Sequence, residues 1–295
     1  MTTMNTSTNT NAHTDTDTTA SPPSPRTTAD DDWRVGDVTL HSRFLLGTAG
    51  YPSPQVLRDA IVAAGTQVVT VGLKRTLAAA GDNGYLAVIR EALVEVGARL
   101  LPNTAGCRSA REAVQLAHMA RELYDTPWLK LEVVGDEHTL QPDMLELLTA
   151  ADQLSRDGFV VFPYCTDDLV GCRRLLDAGC PLLMPWGAPI GSGQGLLNPF
   201  ALRTLRERLP DATLIIDAGI GAPSHAAFAL ELGYDAVLLN SAVAHAGDPV
   251  AMARAFRQAI EAGRLARRAG VIATQDFAVA STPVGGEPLL LGGAP

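Results

Sequence analysis

From residue 33 onward the chain alternates short apolar runs with longer amphipathic stretches, and this alternation limits the fold more than any other feature. The apolar runs fall at 44–46, 67–71, 99–101, 128–133, 159–164, 181–184, 213–216 and 235–239. Between and after them lie helical patterns at 54–64, 84–96, 109–124, 143–156, 167–178, 198–209, 224–232 and 249–262. Several helical stretches open on capping residues: Ser109 with Glu112 three positions on, Asn198 before Pro199, and Asp248 before Pro249. Several end at a glycine, namely Gly65, Gly97, Gly158, Gly179 and Gly233. Strict alternation of strand and helix predicts a parallel sheet, and eight units in about 230 residues match a closed (β/α)8 barrel. An open doubly wound sheet would show a glycine-rich turn after its first strand. Gly47-Thr48-Ala49-Gly50 lacks the full spacing of that turn.

The barrel is expected over residues 33–264, between a tail at 1–32 and a C-terminal extension at 265–295. The tail is dominated by Thr, Asn, Asp, Ser and Pro and has no apolar periodicity. Burial there cannot offset the ordering entropy, so the segment is expected to be disordered. It is acidic with one arginine, Arg26, unlike a transit peptide. A formal net charge of −9 without a basic run argues against binding nucleic acid or an anionic membrane. No apolar run reaches the ~18–20 residues that span a bilayer, and no secretory h-region is present, so a cytoplasmic protein is expected. The four cysteines, Cys107, Cys165, Cys172 and Cys180, form no C-x-x-C pair and read as free buried thiols. The six histidines have no metal-ligand spacing, and neither a metal nor a cofactor is expected.

Among 23 basic residues only two are lysines, Lys74 and Lys130. Arginine replaces lysine as a charge but not as an amine nucleophile. In the run Trp128-Leu129-Lys130-Leu131-Glu132-Val133 side chains alternate faces. Leu129, Leu131 and Val133 then pack under helices, and Trp128, Lys130 and Glu132 point into the barrel. Barrel interiors are packed apolar cores, so a Lys and a Glu there either form a structural ion pair or do chemistry. In the second case desolvation lowers the lysine pKa, the free amine attacks a carbonyl, and Glu132 shuttles protons. Lys74 stands beside Arg75 and reads as a charged rim.

Active sites of such barrels lie at the C-terminal strand ends. Those ends carry Asn103-Thr104-Ala105-Gly106, Ala188-Pro189-Ile190-Gly191-Ser192-Gly193-Gln194-Gly195, Asp217-Ala218-Gly219-Ile220-Gly221 and Asn240-Ser241. Glycines after the seventh and eighth strands, with a short helix beginning near Ser241, suit a phosphate held by backbone N–H groups, and the cluster after the sixth, seventh and eighth strands together favours it; a tight turn is the alternative for any one glycine. Asp217 ends an apolar run and is either a second acid/base group or a capping residue.

These strand-end motifs, with Leu101-Pro102-Asn103-Thr104-Ala105-Gly106, Leu129-Lys130-Leu131-Glu132-Val133 and Leu239-Asn240-Ser241-Ala242-Val243-Ala244, resemble the bacterial thiazole synthases of thiamine biosynthesis over about residues 36–285. The resemblance implies a (β/α)8 barrel in which Lys130 forms a Schiff base with 1-deoxy-D-xylulose 5-phosphate. It implies that Glu132 and Asp217 are the acid/base residues, and that Gly191, Ala218, Gly219, Asn240 and Ser241 bind substrate. It implies sulfur from the C-terminal thiocarboxylate of a ubiquitin-like carrier protein, dehydroglycine (2-iminoacetate) from a partner enzyme, and a homotetramer. The tail lies outside the family pattern, Trp186 stands where a smaller apolar residue is expected, and 277–283 matches only part of the family. A class I aldolase acting on a sugar phosphate, and a non-catalytic barrel that only docks the carrier, are the competing readings.

Overall fold

A computed structural model of the 295-residue chain describes Met1 and residues 31–74 and 83–281. The chain divides after Asp32. Most of the tail expected over 1–32 lies outside the described residues, as do Arg75 and residues 282–295 of the expected C-terminal extension.

The second unit opens with a hairpin, β1 (Trp33–Val35) and β2 (Val38–Leu40), paired antiparallel. Eight parallel strands follow: β3 (Phe44–Gly47), β4 (Val68–Gly72), β5 (Arg99–Asn103), β6 (Trp128–Leu131), β7 (Val160–Cys165), β8 (Leu182–Pro185), β9 (Thr213–Asp217) and β10 (Ala236–Leu239). They close in sequence order, with β10 pairing both β9 and β3, which is the (β/α)8 barrel that the alternation predicts. The outer layer is α1 (Pro54–Ala64), α2 (Asn83–Val96), α3 (Ala110–Tyr124), α4 (Met144–Arg156), α5 (Leu169–Asp177), α6 (Pro199–Arg208), α7 (Pro223–Glu231) and α9 (Pro249–Ala269), with the four-residue α8 (Ser241–Ala244) set between β10 and α9.

The helices begin where side chains satisfy their first N–H groups. Ser109 accepts from Glu112 N, Asn198 from Ala201 N, and Asp248 from Ala251 N. The last helix runs to Ala269, past the expected end of the barrel at 264.

Alternation along β6 sorts its side chains as read. Leu129, Leu131 and Val133 join the apolar layer between strands and helices. Trp128 joins a second cluster inside the barrel with Phe162, Leu182, Met184, Ile215 and Leu238. The hairpin supplies Trp33, Val35 and Leu40 to that inner cluster and closes one end of the barrel. It is absent from the expected elements, although Gly36-Asp37 between two apolar triplets is a two-residue hairpin signal. Gly36 takes φ 60°, as such a turn demands.

The run expected to extend to Val133 stops as a strand at Leu131. The cause is Thr104, at the end of β5. Its backbone N–H donates to Lys130 O (3.1 Å), and its hydroxyl both donates to Glu132 O and accepts from Glu132 N, each at 2.8 Å. A buried side chain thus replaces the next rungs of the sheet.

Candidate active site

A cavity of about 500 Å³ opens at the C-terminal ends of the strands. At its base, Lys130 Nζ lies 2.9 Å from Glu132 Oε1 and 2.7 Å from Asp217 Oδ2. The three side chains are only 6%, 7% and 3% exposed, so water does little to screen them. Tyr164, from β7, places its ring under the ammonium, with Nζ 5.6 Å from the ring centre. The Tyr164 hydroxyl is buried and has no hydrogen-bond partner among the described residues.

The charge state of this triad departs from the expectation of a depressed lysine. Burial does push Lys130 down, but the adjacent Asp217 and Glu132 carboxylates push harder in the other direction, and its pKa ends above the ordinary value. In the free protein the side chain is therefore an ammonium. Burial pushes Asp217 up to about 6 against the opposing pull of Lys130, with Glu132 adding to the rise. A carboxylate lifted this far is a stronger base than a solvated one, and it sits within proton-transfer distance of the lysine.

The rest of the wall is glycine-rich backbone. Ala218 and Gly219, directly after Asp217, both have positive φ, 67° and 78°. Ala218 has no glycine's freedom to adopt this conformation, and such strain persists only where neighbours enforce it. Gly219 is required sterically, because a Cβ there would stand 2.4 Å from Ala188 N. Asn240 Nδ2 donates to Ala49 O at 2.8 Å, which leaves its buried Oδ1 without a partner among the described residues. The eight residues expected to be catalytic or to bind substrate, namely Lys130, Glu132, Asp217, Gly191, Ala218, Gly219, Asn240 and Ser241, all line this cavity.

Other singled-out residues go elsewhere. Lys74 Nζ donates to Gly106 O and pairs with Glu112 on α3, half-exposed at the rim. That pairing, together with the Arg108 N–H, holds the Glu112 carboxyl below its ordinary value. The Trp186 indole donates to Asp167 (3.2 Å), which also accepts from Asn198, so Trp186 ties the loop after β8 to the loop after β7. His118 pairs with Asp157, and His225 Nδ1 accepts from Gly221 N. The four cysteines are free and buried. No group of three metal-ligating side chains occurs among the described residues, and none of the described helices is long and apolar enough to cross a membrane. Thr104 stands inside a quoted motif without an assigned role; it is buried, and its hydroxyl bonds the backbone of Glu132. His245, which the sequence allows at the pocket but does not require there, lines the cavity.

A buried lysine held by two carboxylates in a cavity at the C-terminal strand ends of a (β/α)8 barrel is the arrangement of a barrel enzyme. The comparisons give the family. The model of the thiazole biosynthesis protein ThiG matches residues 34–283, and the chain belongs to that family. It is 56% identical over 259 residues to the thiazole synthase of Coxiella burnetii strain RSA 493, covering 88% of this chain and 98% of that protein. It is 60% identical over 252 residues to the thiazole synthase of Bradyrhizobium sp. strain ORS 278, covering 85% and 96%. The crystal structure of the Amycolatopsis orientalis BexX/CysO complex superposes with a TM-score of 0.73 at 30% identity, over 83% of this chain and 98% of that one. The 3-hexulose-6-phosphate synthase of Salmonella typhimurium, at 20% identity and a TM-score of 0.52, shares the fold alone. The chain is accordingly an enzyme of thiazole formation for thiamine biosynthesis.

Proposed function

We propose that the enzyme condenses 1-deoxy-D-xylulose 5-phosphate, dehydroglycine and carrier-borne sulfur into thiazole phosphate carboxylate through an imine on Lys130. The observation that carries this reading is the placement of Lys130 Nζ between Glu132 and Asp217 at the base of the cavity. The ketone approaches the ammonium, which passes a proton to Asp217. The freed amine adds to the ketone carbon; the new ammonium nitrogen passes a proton to Glu132 while Asp217 returns its proton to the oxygen, which gives a neutral carbinolamine. Glu132 protonates the departing hydroxyl, water leaves, and the protonated imine remains, an electron sink for removal of the neighbouring C–H proton by the carboxylates. The glycine-rich turns at Gly191 and at Ala218–Gly219, with Ser241, hold the phosphate through backbone N–H groups, and the free Asn240 Oδ1 accepts a substrate hydroxyl.

A relative at 30% identity was solved as a complex of BexX with CysO, which supports a protein partner here. We assign that partner as a ubiquitin-like sulfur carrier whose C-terminal thiocarboxylate enters the open mouth. Dehydroglycine comes from a separate enzyme, and the working form is a cytoplasmic homotetramer.

The test is borohydride reduction with 1-deoxy-D-xylulose 5-phosphate, followed by intact mass and peptide mapping. A covalent adduct on Lys130, absent in Lys130→Arg, is expected. A label on Lys74 instead, or a fully active Lys130→Arg, overturns the assignment. Labelling by aldol donors in preference to this ketose would favour the aldolase reading.

A further inference from the structure

Titratable side chains are few in the cavity wall. Among the lining residues they are Lys130, Glu132, Asp217 and His245. The first three form the closed triad at the base. There one ammonium faces two carboxylates, so the base carries an excess of negative charge when both are ionised. A phosphorylated ketose brings further negative charge into the same poorly screened space. Backbone dipoles at Gly191 and Gly219 offset part of this, but they carry no net charge.

His245 is the other lining residue able to carry positive charge. It follows α8 directly, one turn beyond Ser241. Its side chain is exposed at the mouth, and its ring stands over the loop after β3, where a Cβ on Gly50 would come 2.9 Å from Nε2. That loop is tied to the same end of the cavity by Asn240 Nδ2 on Ala49 O. Two other histidines on the barrel are engaged elsewhere: His118 with Asp157, and His225 with the Gly221 N–H.

We infer that His245 is a phosphate-binding residue of this enzyme, donating a ring N–H to the substrate phosphate at the cavity mouth and adding positive charge when protonated. The inference rests on the reading that a phosphorylated ketone is the substrate of Lys130. It assigns the phosphate to the side of the cavity bounded by Ser241, Asn240 and the Gly50 loop, with the ketone directed down to the triad.

The experiment compares the full-length wild type with His245→Ala and His245→Arg. It reads the concentration of 1-deoxy-D-xylulose 5-phosphate that half-saturates adduct formation on Lys130, and the same quantity for the unphosphorylated 1-deoxy-D-xylulose. Loss of one hydrogen bond to a charged group predicts a rise on the order of tenfold for the phosphorylated ketose in His245→Ala. His245→Arg, which keeps a cation and donors, returns to within about threefold of wild type. The unphosphorylated ketose shifts by less than about twofold, since it lacks the group recognised. An unchanged half-saturation in His245→Ala, or an equal loss for both ketoses, overturns the inference. If the wild type forms no adduct, the imine reading fails, and calorimetric titration of the phosphorylated ketose still judges His245: equal affinity in wild type and His245→Ala rejects it.

Discussion

At the scale of single residues, the site depends on a competition between desolvation and Coulomb attraction at Lys130. Desolvation alone would leave a free amine. Two carboxylates within 3 Å reverse the outcome, and under the proposed mechanism proton removal falls to Asp217. With Asp217 raised to about 6, the rate of cyanoborohydride-trapped adduct formation at saturating ketose falls as pH drops through about 6, approaching tenfold per unit. Asp217→Asn removes this acid limb along with most of the rate. A limb centred near pH 4 in the wild type would show that a solvated carboxylate, not Asp217, takes the proton. Lys130 and Glu132 were legible in the sequence because period-two alternation places both on a face that ought to be apolar. Asp217 showed only as the polar end of an apolar run. The direction of the lysine shift was not legible, since it depends on a distance between strands β6 and β9 that spacing along either strand does not contain. Thr104 was hidden for a related reason. Its hydroxyl acts on the backbone of Glu132 on the adjacent strand, and no local pattern marks such a bond.

At the scale of elements, the eight strand–helix units were readable because each carries an apolar run, and several add a cap or a terminal glycine. The β1–β2 hairpin was missed because triplets such as Trp33–Val35 are too short for periodicity to register, and its only mark is the Gly36-Asp37 turn. Its contribution is nevertheless large, because Trp33 is 6% exposed and packs among the inner residues of the barrel. Trp33→Ala is expected to destabilise the fold by about 3–5 kcal/mol, read as a shift in the urea midpoint with little change in slope. The indole also donates to Ser42 O at 3.0 Å, so part of the loss is a hydrogen bond. A change below about 1 kcal/mol would mean that the hairpin rests on the barrel without filling it.

At the scale of the whole molecule, stability and chemistry share the same three charges. Replacing the cation by an apolar side chain of similar length, Lys130→Met, leaves Glu132 and Asp217 facing each other. Asp217, already raised by burial, then loses the opposing pull of Lys130, and a carboxyl raised in this way contributes stability below its unfolded pKa, near 4, that is lost as pH climbs through the folded value. The variant is therefore expected to approach wild-type stability at pH 5 and to fall about 3–5 kcal/mol short of it at pH 8, by denaturant unfolding at the two pH values. An equal deficit at both would point to packing instead of charge. The hairpin has one more consequence at this scale. With one end of the barrel filled, the cavity is a vessel with a single neck. On the proposed reading, a small ketose that binds first settles at the bottom, and a carrier tail that enters afterwards becomes the stopper. In the reverse sequence the tail would bar the way. On that reading an order of addition is set by the architecture, before any affinity between the reactants is considered.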